Sequence, residues 1–574
     1  MPTYDLKPEI SIKDYQDAWN GYEKIKSILP FTGEKKVIAI ECYPGVDLEE
    51  LENQLLEALP HASLVCSDDY AYDAETVTKK IQRTLTDDRV FGVMSHYTLD
   101  EFFPKAELKK IQQKIARFDG MTVIYGTGAT IIASTPDVLI YADLTRWEIQ
   151  CRFRSGRSNW KADNASEDAL RKFKRGYFFE WRMADRLKQN LFPKIDYLLD
   201  TNIPNEPTMI SGADYRKALK HVTEQPFRLV PYFDASVWGG QWMKEKFNLD
   251  PEKENYGWAF DGVPEENSVR LRFGEVVVEV PSINVVHQFP VELLGEKVHA
   301  RFGKEFPIRF DYLDTVGGGN LSMQVHPYVE YIQDKFGMTF TQNESYYILE
   351  ANENSTIYLG VKDGVDKDEM VADLKKAEQG DYRFPDEKYI NCFPVKKHDH
   401  YSIPSGTIHC GGPDTVVLEI SQTPYIFTFK LWDWGRVGLD GVPRPVHIDH
   451  GAENINVDYN TTWVKEQLIN PFRTIQETTN YKEEHTGLHE LEFIETRRHW
   501  FETEALVQSH DSVNMLNLVE GEEITVESLD NRFKPFTVHY GETFIVPEQI
   551  KEYRLVNQGN SKEVAVIQAF VKVL

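Results

Sequence analysis

The sequence predicts a multidomain chain in which an N-terminal α/β unit with a mainly parallel sheet is followed by mainly-β units. Three observations carry this. The chain has 574 residues, room for about three or four domains at ~100–200 residues each. From about Lys35 to Tyr197, apolar runs of strand length alternate with helix-like stretches, the pattern of a parallel sheet with crossovers. From about Phe227 onward, short apolar runs are cut by Gly, Pro, Asn and Asp, as in sandwiches and barrels.

In the first part, residues 37–40 form a compact apolar run. Residues 48–59 space Leu48, Leu51, Leu55 and Leu59 by three and four, which predicts a helix. Further strand candidates are 62–66, 90–94, 122–125 and 138–141, with a charged amphipathic helix at 106–118. A long helix is expected over 167–190. In the second part the strand candidates are 276–280, 345–349, 356–359, 416–420 and 426–431, then 544–547 and 564–567 in a last block from about Glu490. The expected division is 1–200 for the α/β domain, 201–226 for a linker, 227–485 for a first β domain with insertions, and 486–574 for a second.

Charge and cysteine content narrow the function. The chain carries 64 Lys+Arg and 91 Asp+Glu, a net charge of −27, which argues against a general nucleic-acid binder because phosphate backbones need clustered cations. A small anion in one locally basic pocket remains compatible. Five cysteines without paired short spacing exclude a disulfide framework and read as free thiols of a reducing compartment. Residues 1–26 contain no signal-peptide apolar core, and no run reaches the ~18 apolar residues of a membrane span. The expectation is a cytoplasmic protein that binds neither nucleic acid nor membrane; its oligomeric state is left open.

The sharpest chemistry lies in Gln324-Val325-His326-Pro327, Glu344 and His409. In a strand Gln324 and His326 share a face. Glu344 opens a neighbouring strand candidate, and His409 ends the strand–turn–strand pattern of 403–409. Two imidazoles, a carboxylate and an amide oxygen can surround a divalent metal with positions left for water or substrate. Zn²⁺ suits two His and one Glu, while Gln is an uncommon ligand and takes a weaker role. The chain has 16 histidines, so spacing alone leaves open that His326 and His409 are ordinary hydrogen-bonded strand residues.

The surrounding words add a resemblance. Ser236-Val237-Trp238-Gly239-Gly240, Tyr256-Gly257-Trp258-Ala259, Leu321-Ser322-Met323-Gln324-Val325-His326-Pro327 and Asn343-Glu344-Ser345-Tyr346-Tyr347-Ile348-Leu349 come in that order. Gly406-Thr407-Ile408-His409, Leu418-Glu419-Ile420-Ser421-Gln422 and Trp432-Asp433-Trp434-Gly435-Arg436 follow. Across about 227–574 this series resembles the type I mannose-6-phosphate isomerases. The resemblance implies two cupin β-barrels, with one Zn²⁺ in the first, held by Gln324, His326, Glu344 and His409. It implies a sugar-phosphate substrate, mannose 6-phosphate interconverted with fructose 6-phosphate through an enediol. That chemistry needs a base for a carbon-bound proton and an electrophile for the oxyanion. Lys430 and Arg436 are the expected anion-contacting catalytic residues. Glu419 is an acid/base candidate, or else a buried hydrogen-bonded strand carboxylate. Arg444 and His447 fall in a segment similar to one near the family's pocket rim.

The sequence departs from the family at its basic positions. Gln342 and Asp311 stand where the family has Lys, and Lys430 stands where it has Arg. Gln342 has no charge, Asp311 reverses the sign, and Lys430 lacks the planar fork that grips oxyanions. These changes open an alternative: a catalytically impaired, metal-binding sugar-phosphate sensor or regulator.

In the N-terminal part, Val37-Ile38-Ala39-Ile40-Glu41-Cys42-Tyr43-Pro44-Gly45 reads as a strand entering a phosphate loop. With Ser67-Asp68-Asp69-Tyr70 and Asp143-Leu144-Thr145-Arg146, the order resembles a P-loop nucleoside kinase of the uridine-kinase type. The Gly-Lys-Ser/Thr ending that such a loop needs is absent, and Asp47, Glu49 and Glu50 take its place. The expectation is a degenerate P-loop-like domain with no cofactor, in which Arg146, Arg152, Arg154 and Arg157 either hold an anion or form a solvated face.

Overall fold

The computed structural model describes residues 4–573 except 30–34, 57–58, 60–61, 381, 424–426, 442 and 491. The end of the expected helix 48–59 and the first residue of the expected strand 426–431 therefore lie outside the described residues. The chain divides into two compact units. One gathers Glu9–His221 with Ser268–Gln288, and the other gathers Met1–Pro8, Val222–Asn267 and Phe289–Leu574. Among the described residues no helix is long and apolar enough to cross a membrane, and all five cysteines are free.

The α/β unit is built on five parallel strands in the order Tyr197–Asp200, Val138–Asp143, Lys36–Cys42, Met121–Gly126, Ser63–Cys66. Thr208–Ser211 and Ala18–Asn20 extend the Tyr197 edge antiparallel. Lys36–Cys42 is central, so Ile38, Ala39 and Ile40 are fully buried, as a strand covered on both faces requires. Ile38, Ile40, Val123 and Ile140 pack with Leu51 and Leu55 of the first crossover. Asp47 caps that crossover's helix by accepting from the Glu50 N–H. The long helix expected at 167–190 runs as Ala169–Arg175 and Trp181–Leu191, joined by the wider turn Gly176–Glu180.

Three expectations differ from the structure. The run 90–94 forms no strand: the Val93 N–H bonds the Thr84 carbonyl, and Gly92 presses against Phe178. The run is apolar because it is packed against helices, which a short run cannot reveal. The stretch 201–226, expected as a linker, carries the strand Thr208–Ser211 and the helix Gly212–Val222. The strand Val276–Pro281 is not in the β-rich unit. It forms a hairpin with Ser268–Phe273, beside which Glu9–Ser11 lies parallel, so the α/β unit takes back a segment from beyond residue 227.

The β-rich unit holds two pairs of antiparallel sheets. In the first pair, a six-stranded sheet runs His400–Ile403, Glu344–Ala351, Thr415–Ser421, Arg309–Asp314, Trp258–Gly262, Tyr232–Asp234. Its companion runs Ile390–Pro394, Thr356–Val361, His409–Gly411, Met323–Val325, Phe429–Trp432. The second pair, from Arg473 to Val571, has a six-stranded and a four-stranded sheet. The second interior is apolar, filled by Phe501, Leu516, Val526, Phe544 and Val566. The first interior instead buries Arg309, Asp311, Glu344 and Glu419. Charged groups are almost never buried without a partner, so this contrast locates the site.

One buried carboxyl in the α/β unit gives a pH test. Glu41, at the carboxyl end of Lys36–Cys42, accepts from the Gly128 N–H (2.6 Å), the Thr130 N–H (2.7 Å) and the Thr130 hydroxyl (2.6 Å). Burial outweighs these bonds and pushes its pKa up to about 7. A raised folded-state pKa means that Glu41's contribution is complete below its unfolded pKa and is lost as pH rises through about 7. Denaturant unfolding of wild type and Glu41→Gln at pH 5 and pH 8 is expected to show wild type losing ground to the variant at the higher pH. A widening advantage for wild type would contradict the assignment.

Candidate metal centre

The first sheet pair brings His326, Glu344 and His409 together. Their ligand atoms lie within 4.8 Å of one another, and all three side chains are buried. His326 Nε2 is 3.1 Å from Glu344 Oε2, and His409 Nε2 is 3.0 Å from Glu344 Oε1. The two imidazole rings stack with centroids 4.9 Å apart. Glu344 opens a strand of the six-stranded sheet, while His409 belongs to the facing sheet and His326 follows Met323–Val325 there. The site is thus built across the gap between the sheets.

The backbone fixes both tautomers. His326 Nδ1 faces the Phe427 carbonyl at 2.9 Å, and His409 Nδ1 faces the Thr407 carbonyl at 3.0 Å. A carbonyl only accepts, so each Nδ1 carries the proton and each neutral ring turns the Nε2 lone pair inward. His326 Nε2 and Glu344 Oε1 have no aligned hydrogen bond although both are buried. Burial would raise the Glu344 pKa, but positive charge on the facing His326 and His409 would hold its carboxyl well below the usual range, and a cation bound between neutral rings supplies the same charge. Lone pairs and a carboxylate that converge without protons between them fit a divalent cation. Gln324 completes the expected set. Its side-chain amide nitrogen is placed 3.1 Å from His409 Nε2, and a half-turn of the amide offers its oxygen there instead.

Register places the other expected residues. Leu359, His409, Gln324 and Lys430 are successive Cα partners across the five-stranded sheet, so Lys430 stands on the same face as the ligands. Arg436 is engaged elsewhere: its guanidinium is 2.5 Å from Asp433. Arg444 holds the other oxygen of Asp433 at 2.9 Å, and Ser322 donates to Asp433 at 3.0 Å. The His447 N–H bonds the Lys430 carbonyl at 2.7 Å, and its side chain is buried.

Glu419 lies on the opposite wall. Its Oε1 accepts from Ser421 (2.6 Å), Gln342 (3.1 Å) and Arg309 (3.3 Å). Burial, together with the neighbouring Asp311 and Glu344, raises its pKa well above the carboxylate range. Gln342 also donates to Glu344 Oε2 at 2.7 Å, while its oxygen accepts from the Phe427 N–H at 2.7 Å. This amide orients a ligand carboxylate. Burial pushes Asp311 up to about 7 against the pull of Arg309. The sequence reading passed over Arg309, which is fully buried beside both carboxylates. Its signal was present: in a strand, Arg309 and Asp311 share a face.

The basic run of the α/β unit is engaged within that unit. Arg146 pairs with Asp185 at 2.7 Å and with the Tyr43 hydroxyl. Arg152 binds Glu148 at 2.7 Å and the Gly45 and Thr201 carbonyls at 2.8 Å. Arg154 stacks over Trp147, and Arg157 pairs with Asp47.

Residues 21–224 match a family described as a domain of unknown function, DUF8485. The mannose-6-phosphate isomerase ManA of Bacillus subtilis (strain 168) is 26% identical over 242 residues, 41% of this chain and 70% of that protein. The mannose-6-phosphate isomerase of Streptococcus mutans serotype c is 26% identical over 235 residues, 41% of this chain and 68% of that protein. A crystal structure of the mannose 6-phosphate isomerase from Bacillus subtilis superimposes with a TM-score of 0.49 at 20% identity, over 60% of this chain and 99% of that one. The chain is homologous to mannose-6-phosphate isomerases, at modest identity, over about 41% of its length.

Protein stripped with a chelator is expected to rebind one equivalent of Zn²⁺ or Co²⁺ in a calorimetric titration. His409→Ala loses at least about 100-fold in affinity, and Gln342→Leu loses roughly 10-fold by freeing Glu344 to turn. Unchanged affinity in His409→Ala would place the metal elsewhere.

Proposed function

We propose that the chain is a metal-dependent aldose–ketose isomerase, with mannose 6-phosphate and fructose 6-phosphate as the first pair to assay. The supporting observation is the buried His326–Glu344–His409 triad with both Nδ1 atoms bonded to backbone carbonyls, in a chain homologous to mannose-6-phosphate isomerases over about 41% of its length. Its two sheet pairs are read as two cupin barrels, with Zn²⁺ in the first. A bound divalent ion would polarise or orient the sugar's carbonyl and hydroxyl oxygens. The residues of the chain do the rest. Lys430, on the ligands' face, steadies negative charge developing on oxygen. Glu419, whose pKa burial raises, accepts from Gln342 beside the site and so orients it. The closed sheet pair excludes water from the enediol.

A second reading, a catalytically impaired sugar-phosphate sensor, draws support from the engagement of Arg436 with Asp433. The Glu9–His221 unit is read as a kinase-like scaffold. Its central strand runs into a loop without the phosphate-binding Lys, and its arginines serve its own carboxylates and carbonyls. The small-molecule partner is a sugar or sugar phosphate, and the compartment is cytoplasmic.

Zn²⁺-loaded wild type is expected to convert mannose 6-phosphate or mannose to the ketose in a coupled assay, and His409→Ala to lose at least about 10³-fold in kcat/KM. No turnover of either sugar by wild type with metal bound favours the sensor. Turnover that survives in His409→Ala would end the metal mechanism.

A further inference from the structure

Beside the metal triad, the six-stranded sheet presents a second set of buried polar atoms whose bonding is incomplete. Arg309, Ser421 and Glu344 are Cα partners in one row, and Asp311, Glu419 and Tyr346 are partners in the next. Rows of one register share a face, so Arg309, Asp311 and Tyr346 stand on the face that carries Glu344. Arg309 Nη1 is occupied, 3.1 Å from Asp311 and 3.3 Å from Glu419. Among the described residues, its Nε and Nη2, Asp311 Oδ2 and the Tyr346 hydroxyl have no hydrogen-bond partner and are shut from bulk water. Unmet buried polar groups of this kind are costly, because each gives up its bonds to water and gains none in return. A concentration of them calls for an occupant.

The donor and acceptor count describes that occupant. Arg309 offers only donors, Asp311 oxygens accept, and the phenol does both. A group that satisfies all three must donate as well as accept. A phosphate dianion donates nothing. It would also set two further charges against a wall where one guanidinium already serves two carboxyl groups. A hydroxyl fits each atom. Gln324 and Lys430 are the partly exposed members of the facing sheet's row.

We propose that Arg309, Asp311 and Tyr346 form a hydroxyl-reading subsite that selects an uncharged polyhydroxyl chain, and that Asp311 sets the preference against its phosphorylated counterpart. The proposal rests on the sugar-isomerase reading, and its test is one of binding rather than turnover. Metal-loaded protein is titrated calorimetrically with mannitol and with mannitol 6-phosphate, which lack the carbonyl needed for isomerisation. Wild type is expected to bind mannitol at least as tightly as the phosphate. Asp311→Asn, which keeps the shape and removes the charge, shifts the ratio about 10-fold toward the phosphate. Tyr346→Phe weakens mannitol about 5-fold, and each variant keeps one equivalent of metal.

Three results would overturn the proposal. Wild type could prefer the phosphate more than 10-fold, or bind neither hexitol. Alternatively, both variants could bind as wild type does, which would mean that ordered water alone fills the subsite. Failure of the isomerase reading looks different: mannitol binds as expected, yet neither mannose nor mannose 6-phosphate turns over.

Discussion

A carboxylate buried between two imidazoles is the constraint on which the first sheet pair depends. Glu344 is fully buried, and a desolvated charge persists only when it is matched. The rings of His326 and His409 do not match it as neutral hydrogen-bond donors, because the Phe427 and Thr407 carbonyls already take their Nδ1 protons. What remains at the centre is a set of lone pairs directed at one another across about 3 Å. Positive charge resolves that arrangement, either as a second proton on the rings or as a bound cation, and the two sheets hold the candidate ligands from opposite sides.

The rest of the polar interior follows from the same need for matched charge. Gln342 bridges Glu344 and Glu419 without adding charge. Arg309 then serves Glu419 and Asp311 together. One guanidinium against two carboxyl groups leaves the second able to persist mainly as the acid, consistent with the upward shifts of Asp311 and Glu419. Beyond Glu344, this face of the six-stranded sheet is therefore close to neutral, and it offers partners bonding geometry more than net charge.

The sequence made the candidate metal-binding group His326, Glu344 and His409 legible because each carries chemistry in its own name and they fall in recognisable words. Apolar runs likewise reported the strand at 37–40 and its parallel neighbours. Arg309 was not legible in the same way. Its meaning comes from a register that pairs it with Ser421, a partner more than 100 positions away that pairs in turn with Glu344. The run 90–94 failed for a related reason: burial against helices and burial in a sheet demand the same apolar residues. The hairpin of Ser268–Phe273 and Val276–Pro281 reads locally as two strands of a β-rich region. Its membership of the α/β unit depends on Glu9–Ser11 pairing in parallel, a contact between residues some 260 positions apart.

The cations on the other side of the site must be weighed with their existing partners. Arg436 and Arg444 both hold Asp433, at 2.5 and 2.9 Å, and Asp433 is nearly inaccessible to solvent. An incoming phosphate that recruits Arg436 breaks one charge-assisted bond to make another, so its gain is the difference between the two rather than the full strength of either. Lys430 carries no planar fork and contributes a point charge. A phosphate at this site therefore receives less than the count of nearby cations implies. Selectivity passes to groups with unmet bonding capacity, and in this interior those lie on the wall formed by Arg309, Asp311 and Tyr346.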